Sequence, residues 1–321
     1  MSKLVLALAC AALVGAPASA VTIDWVTVGD PGNACDVQAG GCFGAVDYVY
    51  KISKYEVTNA QYAEFLNAVA AADPNGLYDT GMESTIWGGI TRSGTDGSYT
   101  YAVKAGFADK PVDFVSFWDA LRFANWIHNG QPTGAQDSST TEDGAYTITA
   151  QGIVDNSITR NAGATIFLTS EDEWYKAAYY DAVSATYFDY PTGTDAQTGC
   201  VLPASDTGNS ANCWPATSPL GALTDVGAYP LSGGPYGTFD QGGNVSELNE
   251  VVILGLYRGL RGGSWLSAPN VLAASLQGLY YAAGEDSKVG FRVASLVPEP
   301  GAGLLVMTGL LGVAGWRRRR G

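Results

Sequence analysis

Few side chains in this sequence are of a type and spacing that could do chemistry. In "FDQGGNVSELNE" (239–250), Asp240 and Glu247 flank a Gly-Gly-Asn turn. Such a turn can bend back and aim its carbonyls inward. Carboxylates plus carbonyls suit a hard cation such as calcium, so cation binding is the chemistry expected there. The plain alternative is a glycine turn carrying two solvated acids. Glu171, Asp172 and Glu173 are adjacent carboxylates that could serve hydrolysis, but they open a helix, where three acids complement the macrodipole without catalysis. His128, the only histidine, ends a helical apolar face before Asn129-Gly130. It reads as a helix C-terminal residue, since no nucleophile partner is spaced for a triad. A metal site needing two imidazoles is out of reach.

The elements that must position these groups begin after a leader. A basic start, an apolar run from Leu4 to Val14 and Ala18-Ser19-Ala20 make residues 1–20 a signal peptide, with Cys10 discarded in it. Cys35, Cys42, Cys200 and Cys213 remain. An even number in an exported chain argues for disulfides. Cys35–Cys42 and Cys200–Cys213 are the simplest of three pairings, and no CxxC pattern suggests a metal. At the other end Val297-Pro298-Glu299-Pro300 precedes a short apolar stretch, 301–316, and then Arg317 to Arg320. Residues 298–321 closely resemble the PEP-CTERM sorting signal. That resemblance implies an exosortase as partner, transient membrane association, and delivery to the cell envelope or extracellular matrix of a Gram-negative bacterium. Without Lys3 and the four terminal arginines, 12 basic residues stand against 31 acids. A domain this acidic repels phosphate backbones, which argues against nucleic-acid partners.

Residues 21–297 show no repeat or linker and read as one domain. The segments Thr22 to Val28, Val46 to Ile52, Val251 to Leu256 and Phe291 to Leu296 read as strands. Thr58-Asn59-Ala60-Gln61 is a capping box, and Tyr62, Phe65, Leu66 and Val69 follow on one helical face. Ser116 with Asp119, and Ser170 with its three acids, open two further helices. Gly- and Thr-rich stretches near 88–100 and 130–146 read as surface excursions. The fold class is α+β with little regular structure.

These landmarks occur in a familiar order. "YKISKYEVTNAQYAEFLNA" (50–68), "PVDFVSFWDALRFANWI" (111–127), "IFLTSEDEWYKAAYYD" (166–181), "YGTFDQGGNVSELNE" (236–250), "LRGGSW" (260–265) and "GFRVAS" (290–295) resemble the formylglycine-generating enzyme, or sulfatase-modifying factor, family. The resemblance implies a variant of the C-type lectin fold. Active members oxidise a sulfatase cysteine to formylglycine with oxygen and a copper ion held by two cysteines after the Gly-Gly-Ser-aromatic motif. Here 266–288 contains no cysteine, and Leu272 and Gln277 fall near the two positions. Neither can act as a thiolate ligand, so no catalytic residue is assigned and copper is not expected. An iron-dependent branch needs three histidines, which this chain lacks.

The resemblance also implies structural calcium, with Asp240 and Glu247 giving side-chain oxygens and Gly243 and Val245 backbone carbonyls. A second site would use Asn212 and the Cys213 carbonyl from "ANCW", with Asp225 a loose candidate for its acid. Asn244-Val245-Ser246 matches a glycosylation sequon by chance, and Arg261 and Arg292 are expected to pin the C-terminal strands. The function expected is a non-catalytic, calcium-stabilised module at the surface or in the matrix, binding exopolysaccharide or an envelope protein. The alternative is an oxidase acting on protein cysteine.

Overall fold

A computed structural model describes residues 20–215 and 223–297. The leader expected over 1–20, except Ala20, and the sorting tail expected over 298–321 lie outside the described residues. The chain is a mixed α+β domain built on two sheets. In the first, the strands run in the order Trp25–Val28, Tyr50–Ser53, Val293–Leu296 and Ile166–Leu168, all antiparallel. The last strand of the domain thus lies between Tyr50–Ser53 and Ile166–Leu168, in the same sheet as the first. In the second sheet, Gly278–Tyr281, Tyr257–Arg261 and Ser246–Ile253 are antiparallel, and Val289–Gly290 adds in parallel.

Three helices start where the sequence signals them. Thr58, Ser116 and Ser170 each cap through the side-chain oxygen, and Gln61, Asp119 and Glu173 reach back to complete capping boxes. The helix Asn59–Val69 buries Tyr62, Phe65, Leu66 and Val69, as its spacing requires. Their rings continue into the second helix and the end of the chain. Phe65 and Phe123 meet at 5.5 Å, as do Phe123 and Phe291, both edge-on. Such ring pairs add about 0.5–1.5 kcal/mol beyond area burial. Phe291 of "GFRVAS" therefore has a core role.

Two expectations need correction. The helix Phe117–His128 does not bury one face only, since every residue from Phe117 to Ile127 is buried. The stretch near 130–146 explains this, because it is a cover rather than a surface excursion. Asn125 donates to the carbonyls of Thr141 and Tyr146, and Arg122 forks onto Glu142 at 2.7 and 3.0 Å. The second correction concerns the strand expected from Val251 to Leu256. It runs Ser246–Ile253 and turns at Leu254-Gly255 into its partner. Residues near 88–100 form a hairpin, Ile90–Ser93 with Thr100–Val103.

Both neighbour disulfides, Cys35–Cys42 and Cys200–Cys213, are formed. None of the helices among the described residues is long and apolar enough to cross a membrane.

Candidate functional site

Three separate motifs converge beside the second sheet. Gly243 N–H donates to the Gly262 carbonyl, Trp265 N–H to the Asn244 carbonyl, and Asn244 N–H to the Asn212 carbonyl, at 2.9–3.0 Å. Only glycine fits at the crossings. Gly262 has φ +81°, and a Cβ there would lie 2.3 Å from the Gln241 carbonyl oxygen; at Gly243, φ +85°, it would lie 2.5 Å from the Asn212 oxygen. A left-handed backbone and close approach together exclude other residues. The "GGN" and "RGGSW" sequences thus let two backbones touch.

The structure brings Asn212, expected in a second site, against the 240–247 motif, and its side chain is partnered there. The Asn212 amide donates to Asn244 Oδ1 at 3.2 Å. Asn244 is itself fully buried, its side-chain oxygen also accepting from Thr224 N–H, so the sequon offers no accessible amide. Cys213 is buried in its disulfide. Asp225, the loose candidate, pairs with Lys110 at 3.1 Å. Val245 packs its side chain against Leu223 and Trp265.

Glu247 decides the character of the motif. Both of its oxygens are taken by the Arg292 guanidinium, at 2.5 and 2.6 Å, and Oε2 also accepts from the Trp174 indole at 2.7 Å. Arg292 further donates to the carbonyls of Ser53 and Phe239. Asp240, at φ +59°, accepts from Gly227 N–H, and its carboxyl is pushed up to about 6, chiefly by burial. Glu56 is buried nearby, its carboxyl raised well above the usual range by burial and then by Asp240 and Glu247. The two carboxylates expected to hold calcium therefore lie beside a guanidinium. A cation at Glu247 would have to displace a bidentate, charge-assisted pair. Among the described residues, no three His, Cys, Asp or Glu side chains are grouped to hold a metal ion.

Arg261 has the same kind of role, forking from Glu171 to the carbonyls of Ala274 and Leu276 and lying over the rings of Phe43 and Tyr175. Asp172 accepts from Gly44 N–H and Glu173 from Arg160 and Tyr48. The three adjacent acids are thus each engaged by a structural partner. His128 Nδ1 accepts from Thr165 N–H at 3.2 Å and meets the Thr165 hydroxyl, closing its helix end.

Where the resemblance places two thiols, Leu272 is fully buried and Gln277 is exposed. Leu272 methyl groups lie against Gly242 and Gly263, so the position is part of the packing between the glycine motifs. A cleft of about 130 Å³ lies beside it, walled by Leu260, Arg261, Gly262, Gly263, Val271 and Gln277, among others. No thiol faces it.

The family model described as "Sulfatase-modifying factor enzyme 1-like domain" matches residues 46–297. The chain belongs to this family. Two solved structures share this fold with TM-scores above 0.5. CarF is 22% identical with a TM-score of 0.55, covering 86% of this chain and 99% of its own. Treponema denticola variable protein 1 is 17% identical with a TM-score of 0.53, covering 86% and 95%. PvdO from Pseudomonas aeruginosa is similar at 17% identity, TM-score 0.48, covering 86% and 92%. No curated protein matches the sequence.

Reading from sequence missed two features of this sulfatase-modifying-factor-like chain. Glu56 lies inside the helix-opening motif, where nothing marks it as buried. Tyr257 and Tyr281 come from different strands and meet on the second sheet, ring centres 4.7 Å apart and hydroxyls at 3.2 Å. Tyr281 is 60% exposed, and Leu254, Leu256 and Leu279 are exposed on the same hairpin system. Only the strand register Tyr257↔Tyr281 makes the pair visible.

Proposed function

We propose that this chain is a non-catalytic binding module of the sulfatase-modifying factor family, exported and retained at the cell surface or in the matrix, where it binds polysaccharide. The observation that carries the reading is the state of the sulfurs. All four cysteines of the 21–297 domain are in disulfides, and 266–288, where the resemblance would put the oxidase's copper-binding pair, contains no cysteine. A chain without that pair has no thiolate to hold copper or relay electrons.

The pair formed by exposed Tyr281 and half-buried Tyr257 supports the choice of ligand. Paired tyrosines offer flat apolar faces with polar rims and little side-chain freedom to lose. Such a surface suits the alternating C–H and O–H faces of sugar rings. The acidic domain adds the preference for a neutral polymer over an anionic one. An envelope protein is the other partner class, and the sorting tail and its exosortase remain part of the proposal.

Cohesion of the motif around 240–247 is assigned to Arg292 rather than to calcium. Co-sedimentation of the purified protein with the host's exopolysaccharide, with and without EDTA, tests both parts. Binding that survives EDTA and falls at least about tenfold in the double variant Tyr257→Ser, Tyr281→Ser is expected. Absence of binding in both conditions would overturn the polysaccharide assignment, and loss with EDTA alone would restore calcium.

A further inference from the structure

The turn that joins Ser246–Ile253 to Tyr257–Arg261 is built against its local preference. Leu256 N–H donates to the Ile253 carbonyl at 3.3 Å, and both residues between them have positive φ, Leu254 at +52° and Gly255 at +73°. Positive φ at both central positions makes a type I′ turn, whose first central residue is ordinarily asparagine, aspartate or glycine. A bulky apolar side chain is strained there. Burial does not offset that strain, because Leu254 is 80% exposed and Leu256 beside it is 63% exposed.

An apolar surface runs back from this tip. Strand register sets Ile253, Tyr257 and Tyr281 in one row, and Leu279 stands two residues from Tyr281 on the same side, opposite Gly259. Leu279 and Tyr281 are exposed. No charged residue occurs over 251–257 or over 276–284, although the whole chain has a net charge of −14. An uncharged, apolar projection on so acidic a chain marks a contact with something outside it.

We propose that this hairpin tip is a lipid contact, with Leu254 and Leu256 entering the acyl boundary of a bilayer whose headgroups carry no net charge. Leucines at the apex of a turn present a projecting shape, which a yielding bilayer accepts. Tyrosines directly behind them follow the order of a membrane interface, where amphipathic rings flank the apolar part. Charge selects among the occupants: a second copy of this chain or an anionic lipid would be repelled by the acidic domain, and a zwitterionic surface would not. The sequence holds a second bilayer-directed stretch in 301–316, which has no charged residue and is followed by Arg317 to Arg320. Two weak membrane contacts hold where one does not. The sugar reading rests on the tyrosine rings and this one on the leucines, so either can fail without the other.

Phosphatidylcholine vesicles and the full chain test this, with an environment-sensitive dye attached after Leu254→Cys or, on a different exposed turn, after Val183→Cys. Vesicles should shift the emission of the dye at 254 to the blue, and nitroxide lipids labelled near the top of the acyl chain should quench it. The dye at 183 should respond to neither. In unlabelled chains, Leu254→Asn and Leu256→Ser should each weaken vesicle binding at least about fivefold. Leu254→Asn should do so without lowering the melting temperature, since asparagine suits the turn. Unchanged binding, a melting temperature that falls, no shift at 254 or an equal shift at 183 would each overturn the proposal. A shift already present without vesicles would also overturn it, in favour of a second copy if it grows with protein concentration and of the chain's own 301–316 if it does not.

Discussion

Arg292 and Glu247 are both fully buried, and the guanidinium answers three carboxylates while bonding only Glu247 directly. Removing one partner of such a pair strands the other in low dielectric. Arg292→Met should therefore lower the unfolding free energy by about 3–5 kcal/mol in denaturant titration. A loss under about 1 kcal/mol would mean that something else neutralises Glu247. The pH dependence follows from groups shifted the other way. Asp119 and Asp240 are each pushed up to about 6, chiefly by burial, and Glu285 to about 9 by burial and then by Asp119 and Asp79. The folded chain thus holds protons that the unfolded chain has released. Stability contributed by these groups is lost as pH rises from the ordinary carboxylate range, near about 4, through about 6 for the aspartates and about 9 for Glu285. Acidification from about pH 8 to about pH 5.5 should raise the melting temperature by roughly 2–6 °C. A melting temperature that falls over that range would contradict the assignment.

The helices illustrate what could be read along the chain. Thr58, Ser116 and Ser170 are local signals, complete within four residues, and each capping box formed. Ser116→Ala should cost about 1 kcal/mol, read as a shift in denaturant midpoint; an unchanged midpoint would show that burial of the helix makes its cap redundant. Of the strands read along the chain, the one expected from Val251 to Leu256 was misplaced, for a physical reason. Ser246–Ile253 turns Glu247 and Asn249 into the interior, so it has no apolar alternation to detect. Those polar groups are tolerable because Arg292 and Glu171, 45 and 78 residues away, answer them. The cover over Phe117–His128 was missed likewise, since Asn125 and Arg122 look like a solvated face until Thr141, Glu142 and Tyr146 arrive. Neither partner is visible from its own neighbourhood.

Across the whole molecule, the sheet that joins Trp25–Val28 to Val293–Leu296 and the two disulfides hold one domain together from both ends. The glycine crossings, the two arginine pins and the capped helices all belong to that architecture. Leu272 fills the space between Gly242 and Gly263. The fold was readable because six motifs keep their order. The tyrosine pair was not, because Tyr257 and Tyr281 come from different strands and meet only in the sheet.

The most direct test is to incubate the purified, copper-supplemented protein with a cysteine-containing sulfatase peptide in air and follow the peptide by mass spectrometry. The account predicts that the cysteine is recovered unconverted at every time point, as in a protein-free control. Enzyme-dependent appearance of formylglycine would contradict it, and would require a redox pair outside 266–288.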